Sequence, residues 1–176
     1  MEITKQHLIL IGLMGSGKSS VSRCLSTLTG MQYLDTDWMV EAQMRKPITE
    51  IFTQFGEARF RELEHEMISK AVSESEPSII STGGGAVVNA ANRELLWRHG
   101  WVTYLQADAE LLAERTARDQ NRPLLHTKNP ASCITELLQA RAPFYEQADW
   151  LVPIRGQSIE QVAEEIHRRW RAVTRR

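Results

Sequence analysis

The string Gly12-Leu13-Met14-Gly15-Ser16-Gly17-Lys18-Ser19 constrains this chain more than any other feature. It fits G-x-x-x-x-G-K-[ST] at every fixed position, a match that average residue usage yields about once in 200 chains of this length. His7-Leu8-Ile9-Leu10-Ile11 leads into it as an unbroken apolar run, and a helical pattern follows over about 18–28. Strand, glycine turn and helix form the start of a βαβ unit with a phosphate cradle at its first turn. Glycines line such a turn because side chains would hold a phosphate away from the backbone N–H groups that bind it. The residues assigned to the nucleotide here are Gly12, Met14, Gly15, Ser16, Gly17, Lys18, Ser19 and Ser20. Lys18 reaches the β- and γ-phosphates as a point charge, and Ser19 offers its hydroxyl to Mg²⁺. No N-K-x-D guanine-reading string occurs in the chain, which tilts the nucleotide toward ATP.

The remainder of the chain continues the alternation. Short strand patterns at Gln32-Tyr33-Leu34, Ser78-Ile79-Ile80-Ser81, Trp101-Val102-Thr103-Tyr104-Leu105 and Trp150-Leu151-Val152 are separated by helical ones. Ile48, Ile51, Phe52 and Phe55 make a short apolar face closed by Gly56, and Phe60, Leu63, Met67 and Ala71 continue at helical spacing. Asp108 reads as an N-cap, and Ser158 with Gln161 as a capping box. The expected architecture is a three-layer α/β/α domain with five parallel strands. The segment 118–130 has no clear period and holds two prolines, so it reads as a mobile loop. With 176 residues and no linker composition, one domain over 1–176 is expected.

Charge and cysteine usage narrow the class further. A net charge of -1 offers no general attraction to nucleic acid or anionic membrane. Cys24 and Cys133 are too few for a disulfide framework, and no apolar run reaches the length of a membrane span. A cytoplasmic enzyme or binding protein is expected. The five histidines show no metal-ligand spacing. The side chain of Met14, like Met31, Met39 and the tryptophans, reads as packing.

Several further residues admit two readings. Asp35 and Asp37 close the second strand, where open α/β sheets place ligands; alone, such a pair is more often an exposed turn. Beside a phosphate loop, one carboxylate suits Mg²⁺ and another suits a reacting hydroxyl. Arg61 by itself is a surface arginine or one half of an ion pair. Gly83-Gly84-Gly85 is either a flexible turn or a place where a ligand meets the main chain.

Taken in order, these residues resemble the shikimate kinase family over nearly the whole chain. The resemblance is carried by the phosphate loop, Leu34-Asp35-Thr36-Asp37, Ile48-Thr49-Glu50-Ile51-Phe52, Gly56-Glu57, Phe60-Arg61, Glu64 and Ser81-Thr82-Gly83-Gly84-Gly85. Arg115-Thr116, Asn121-Arg122-Pro123-Leu124-Leu125 and Arg141-Ala142-Pro143-Phe144-Tyr145 extend it. It implies a P-loop kinase with strand order 2-3-1-4-5, transferring a phosphoryl group from ATP to shikimate on the route to chorismate and the aromatic amino acids. It implies that Asp37 binds and activates a ring hydroxyl, and that Arg61 and Arg141 grip the carboxylate beside Gly83, Gly84 and Gly85. Glu64 would hold Arg61. Asp35 would act with Ser19 on the Mg²⁺ side, through water. Arg115 would lie against adenine, and Arg122 would enter with a lid over about 118–130. A monomer is expected.

Two rivals belong beside this reading. A kinase of another polyol acid, such as gluconate, would share the loop but has no use for Asp37, Arg61, Arg141 and the triple glycine together. A kinase-like interaction module without catalysis would have lost Lys18, Asp37, Arg61 or Arg122, and all four are present.

Overall fold

A computed structural model describes residues 5–117 and 129–174. Five parallel strands form one sheet in the order β2-β3-β1-β4-β5, with β1 at His7–Ile11, β2 at Gln32–Asp35, β3 at Ser78–Ser81, β4 at Gly100–Gln106 and β5 at Trp150–Pro153. This is the α/β/α P-loop kinase fold and the expected strand order. Every residue of β1 is buried, as a central parallel strand covered on both faces requires.

The helices are α1 (Lys18–Thr29), α2 (Thr36–Met44), α3 (Ile48–Val72), α4 (Ala90–His99), α5 (Ala109–Thr116), α6 (Pro130–Tyr145) and α7 (Ile159–Thr174). They pack in pairs, α1 with α7, α3 with α4 and α5 with α6. The main core is built from the apolar faces of the sheet, and a second cluster of Val40, Ile51, Phe60, Leu63 and Met67 holds α2 against α3. Among the described residues no helix is long and apolar enough to cross a membrane.

Local signals act where the sequence places them. Gly30 ends α1 in the left-handed region at φ 75° and donates to Ser26. The Ser158 hydroxyl accepts from the Gln161 N–H at 3.2 Å while the Gln161 side chain accepts from the Ser158 N–H at 2.8 Å. Gly56, at φ 80° and ψ 168°, interrupts α3 and separates the two apolar faces read from the sequence.

One element departs from expectation. The sequence pattern passes from Asp37 straight to Ile48, whereas the structure forms α2 between them. Only Thr36 and Val40 of α2 are buried, so it carries almost no periodic apolar signal. Its start is set instead by Asp35, whose Oδ1 accepts from the Asp37 N–H at 3.0 Å and the Trp38 N–H at 3.3 Å.

The buried end of β1 carries a titratable group. His7 is fully buried; its Nδ1 accepts from the Ser78 N–H at 3.2 Å, leaving Nε2 to donate to the Val72 carbonyl at 3.2 Å. Burial lowers its pKa below the ordinary 6.5, and nearby His99 adds to the effect. A histidine with a depressed folded-state pKa stabilises the fold above its unfolded value and loses that contribution as pH falls through the folded one. The unfolding free energy from urea titrations should therefore drop between pH 7 and pH 5, by about 1.4 kcal/mol for each unit of depression. In His7→Gln this part of the pH dependence should disappear; an identical slope would exclude His7 as its source.

Candidate active site

The phosphate loop is shaped by backbone that only glycine adopts comfortably. Gly12, Gly15 and Gly17 have φ of 149°, 81° and 87°. A Cβ on Gly12 would lie 2.8 Å from Ser16 Oγ, and one on Gly15 would lie 2.8 Å from Thr116 Cγ2, so side chains are excluded by contact as well as by strain. Gly17 caps α1 without a side-chain acceptor, and the first turn holds no acidic residue. The N–H groups and positive end of that helix are thus left to an external anion. Lys18 Nζ lies across the loop, donating to the Gly12 carbonyl at 2.7 Å and the Leu13 carbonyl at 3.2 Å.

A cavity of about 590 Å³ opens beside this loop. Gly15, Gly17, Lys18, Ser19, Ser20 and Arg115 line it, together with Asp35 and Asp37. Ser19 Oγ donates to Asp35 Oδ2 at 3.2 Å, and the Tyr33 hydroxyl donates to the same oxygen at 2.8 Å. Burial, with the Asp35 charge behind it, pushes the Tyr33 phenol up to about 12, so it stays a donor at neutral pH. A hydroxyl and a carboxylate side by side form a hard oxygen pair. That donor set fits Mg²⁺, which binds through one or two protein oxygens and takes the others from water and phosphate.

The second cavity, of about 310 Å³, is bordered by Asp37, Arg61, Glu64, Arg141 and the three glycines 83–85, with Met14 at its edge. Ile48, Phe52 and Phe60 supply an apolar wall. Asp37, Glu41 and Ile48 line both cavities, so the two spaces adjoin along these three residues, Asp37 among them. The α3 periodicity sets Arg61 one turn before Glu64, and Arg61 Nη1 donates to Glu64 Oε2 at 2.9 Å. Glu64 is 1% exposed. Its burial raises the carboxyl pKa, against the pull of the Arg61 and Arg141 guanidinium groups. Arg61 also meets Glu57 at 3.2 Å; burial would lower its pKa, yet the carboxylates of Glu64 and Glu57 carry it above the ordinary value. Its cationic form is secure at any working pH.

The triple glycine is a matter of clearance. A Cβ on Gly83 would lie 2.7 Å from Asp37 Oδ1 and 2.8 Å from Glu64 Oε1; one on Gly85 would lie 2.6 Å from Arg61 Nη2. Gly84 threads between the Gly12 carbonyl, the Met14 N–H and Arg141. Side chains here would drive the charged groups apart.

The structure thus gathers Lys18, Ser19, Asp35 and Arg115 at one cavity, Arg61, Arg141 and Gly83 to Gly85 at the other, and Asp37 at their junction. Arg122 and the expected lid over 118–130 lie outside the described residues, apart from 129 and the backbone of Pro130. Three contributors were not singled out from sequence. Glu41 Oε1 accepts from the Ile48 N–H at 2.9 Å, tying the corner between α2 and α3. Arg155 makes a two-pronged ion pair with Asp108, both contacts at 2.6 Å, which joins the β5–α7 connection to the cap of the helix carrying Arg115. Tyr145 donates to the Gly84 carbonyl at 2.5 Å. The Asp108 cap was legible; its second duty had no local signal, because Arg155 lies 47 residues away.

Known proteins resemble this chain in sequence and in fold. A family profile described as shikimate kinase matches residues 14–171. The chain is 40% identical over 161 residues to a shikimate kinase of Thermodesulfovibrio yellowstonii, covering 92% of both chains. It is 45% identical over 141 residues to one from Caulobacter vibrioides, covering 80% of this chain and 70% of that one. Its structure superposes with a TM-score of 0.93 on shikimate kinase from Acinetobacter baumannii in complex with shikimate, at 34% identity and with 99% and 97% of the two chains covered. A gluconokinase from Sinorhizobium meliloti matches at a TM-score of 0.64 and 16% identity over 97% and 95% of the chains, a likeness of fold alone.

Proposed function

The chain belongs to the shikimate kinase family, and from that footing we propose that it transfers the γ-phosphoryl group of ATP to the 3-hydroxyl of shikimate, giving shikimate 3-phosphate and ADP. The observation that carries this reading is the junction of the two cavities at Asp37: one has the phosphate loop, the other an arginine pair and an apolar wall. Shikimate has a carboxylate for Arg61 and Arg141, ring hydroxyls for Asp37, and hydrocarbon for Ile48, Phe52 and Phe60. Paired, charge-assisted hydrogen bonds make guanidinium groups the fitting partners for a carboxylate. Gluconate offers the same charge, but its open chain bears hydroxyls along its length and would leave some of them against the apolar wall without partners.

In the proposed reaction the attacking oxygen forms its bond to the γ-phosphorus as the bond to the β–γ bridging oxygen breaks. The hydroxyl proton passes to the Asp37 carboxylate, and ADP leaves with the bridging oxygen. Lys18 balances charge on the β- and γ-phosphates, and Arg122 contributes a second cation from the lid. Ser19 and Asp35 would hold Mg²⁺, which supplies further charge neutralisation on the phosphates when bound. Arg115, with the Arg155-anchored connection, would border the base. Lid closure would keep water from competing for the phosphoryl group. We place the enzyme in the cytoplasm as a monomer of one domain spanning 1–176, with small molecules as its ligands.

Two measurements test this reading. Phosphorus NMR of the product should show coupling to the ring proton at carbon 3; phosphate on another hydroxyl would overturn the assignment. Arg61→Ala and Arg141→Ala should each weaken shikimate binding by roughly 1.5 to 3 kcal/mol, the scale of a charged hydrogen bond. An unchanged dissociation constant for either variant would remove that arginine from the pocket.

A further inference from the structure

Tyr145 has no place in the reaction described above, yet it is a fully buried tyrosine and its hydroxyl is spent on one main-chain oxygen. That oxygen belongs to Gly84, in the middle of the three glycines, 61 residues away in sequence. The ring stacks on Tyr104 with centroids 4.9 Å apart and planes inclined by 17°, which fixes the direction of the hydroxyl. One turn earlier on α6, the positive charge of Arg141 bears on the same phenol and pulls its pKa down, against the larger push of burial. Burial pushes the phenol pKa up, so it remains a donor.

The Gly84–Gly85 peptide is trans, as every described peptide bond is. Across a planar trans peptide the carbonyl and the following N–H point in opposite directions. With the Gly84 carbonyl pinned toward Tyr145, the Gly85 N–H is turned away from it. A Cβ on Gly84 would approach Arg141 Nη1 to 3.6 Å and one on Gly85 would approach Arg61 Nη2 to 2.6 Å, so this peptide lies beside both guanidinium groups. Among the described residues the Gly85 N–H donates to no protein acceptor.

We propose that Tyr145 is a positioning residue of the acid-binding pocket: its hydroxyl holds the Gly84 carbonyl and thereby aims the Gly85 N–H, beside Arg61 and Arg141, as a third donor to the substrate carboxylate. This rests on shikimate being the substrate. The device adds direction to a pair of long cations. Guanidinium groups tolerate a range of carboxylate orientations, whereas a fixed main-chain N–H admits one.

Tyr145→Phe keeps the stacked ring and removes only the donor. It should raise KM for shikimate roughly three- to tenfold, the scale of one hydrogen bond, with kcat within about twofold and KM for ATP unchanged. A merely structural role would lower the melting temperature and leave KM alone in the folded enzyme. Independently of that variant, the Gly85 amide proton of the unaltered enzyme should move downfield in NMR when shikimate is added. An unmoved Gly85 resonance, an unchanged KM, or equal losses for shikimate and ATP would each overturn the inference while leaving the substrate assignment standing. Failure of the unaltered enzyme to turn over shikimate would overturn the assignment itself.

Discussion

Asp37→Asn should lower kcat by about 10² to 10⁴, the range for loss of a positioned general base, while nucleotide binding stays near that of the unaltered enzyme. The substitution is close to isosteric, so the Gly83 clearance and the corner between the cavities should persist. What it removes is the capacity to take a proton as the hydroxyl attacks. The backbone N–H of residue 37 still caps onto Asp35, so α2 should start where it does now. Single-turnover kinetics with saturating ATP and shikimate would measure the effect directly. A kcat within about twofold of the unaltered enzyme would rule out the proton-accepting role, since it would put the loss below that range.

Lys18→Ala should cost about 10² to 10³ in kcat, the range found when one preorganised charge-stabilising donor is removed. Lys18 lines the nucleotide cavity alone, so shikimate affinity should be nearly untouched. The side chain also ties the Gly12 and Leu13 carbonyls together. Its removal should loosen the loop without disturbing β1, whose residues remain buried in the sheet. Circular dichroism and a shikimate titration on the same preparation separate the two effects. A folded Lys18→Ala enzyme with full turnover would remove this cation from the transition state.

The distance over which each signal acts decides how much of this could be read from the chain. The phosphate loop, the preceding strand and the following helix are adjacent in sequence, and their physics is local: apolar burial, glycine dihedrals and a helix end. The ion pair of Arg61 with Glu64 is equally local, one turn of one helix. Helix α2 was illegible because a single buried apolar side chain, Val40, gives no period, and its cap at Asp35 resembles an ordinary turn. The meeting of Arg61 with Arg141 is not encoded by any spacing. It follows from the sheet order, which brings the end of β3 beside the phosphate loop and lays α6 against the glycine turn. The triple glycine itself has no sequence-level decision between flexibility and clearance. The clearances of 2.6 to 2.7 Å at Gly83 and Gly85 supply the reason for it. Tyr145 was visible as a letter in a string, but its hydroxyl gains meaning only once the Gly84 carbonyl lies against it.

On the proposed reading, the arginine-walled cavity presents a ring hydroxyl of shikimate to Asp37 and the phosphate loop. Coupled measurement of ADP release with shikimate, with gluconate and with no acceptor, run in parallel on the same enzyme, tests it most directly. Saturable release with shikimate, against a background rate with gluconate and with buffer, is the predicted result. Equal rates with gluconate, or a rate that ignores the acceptor altogether, would contradict it.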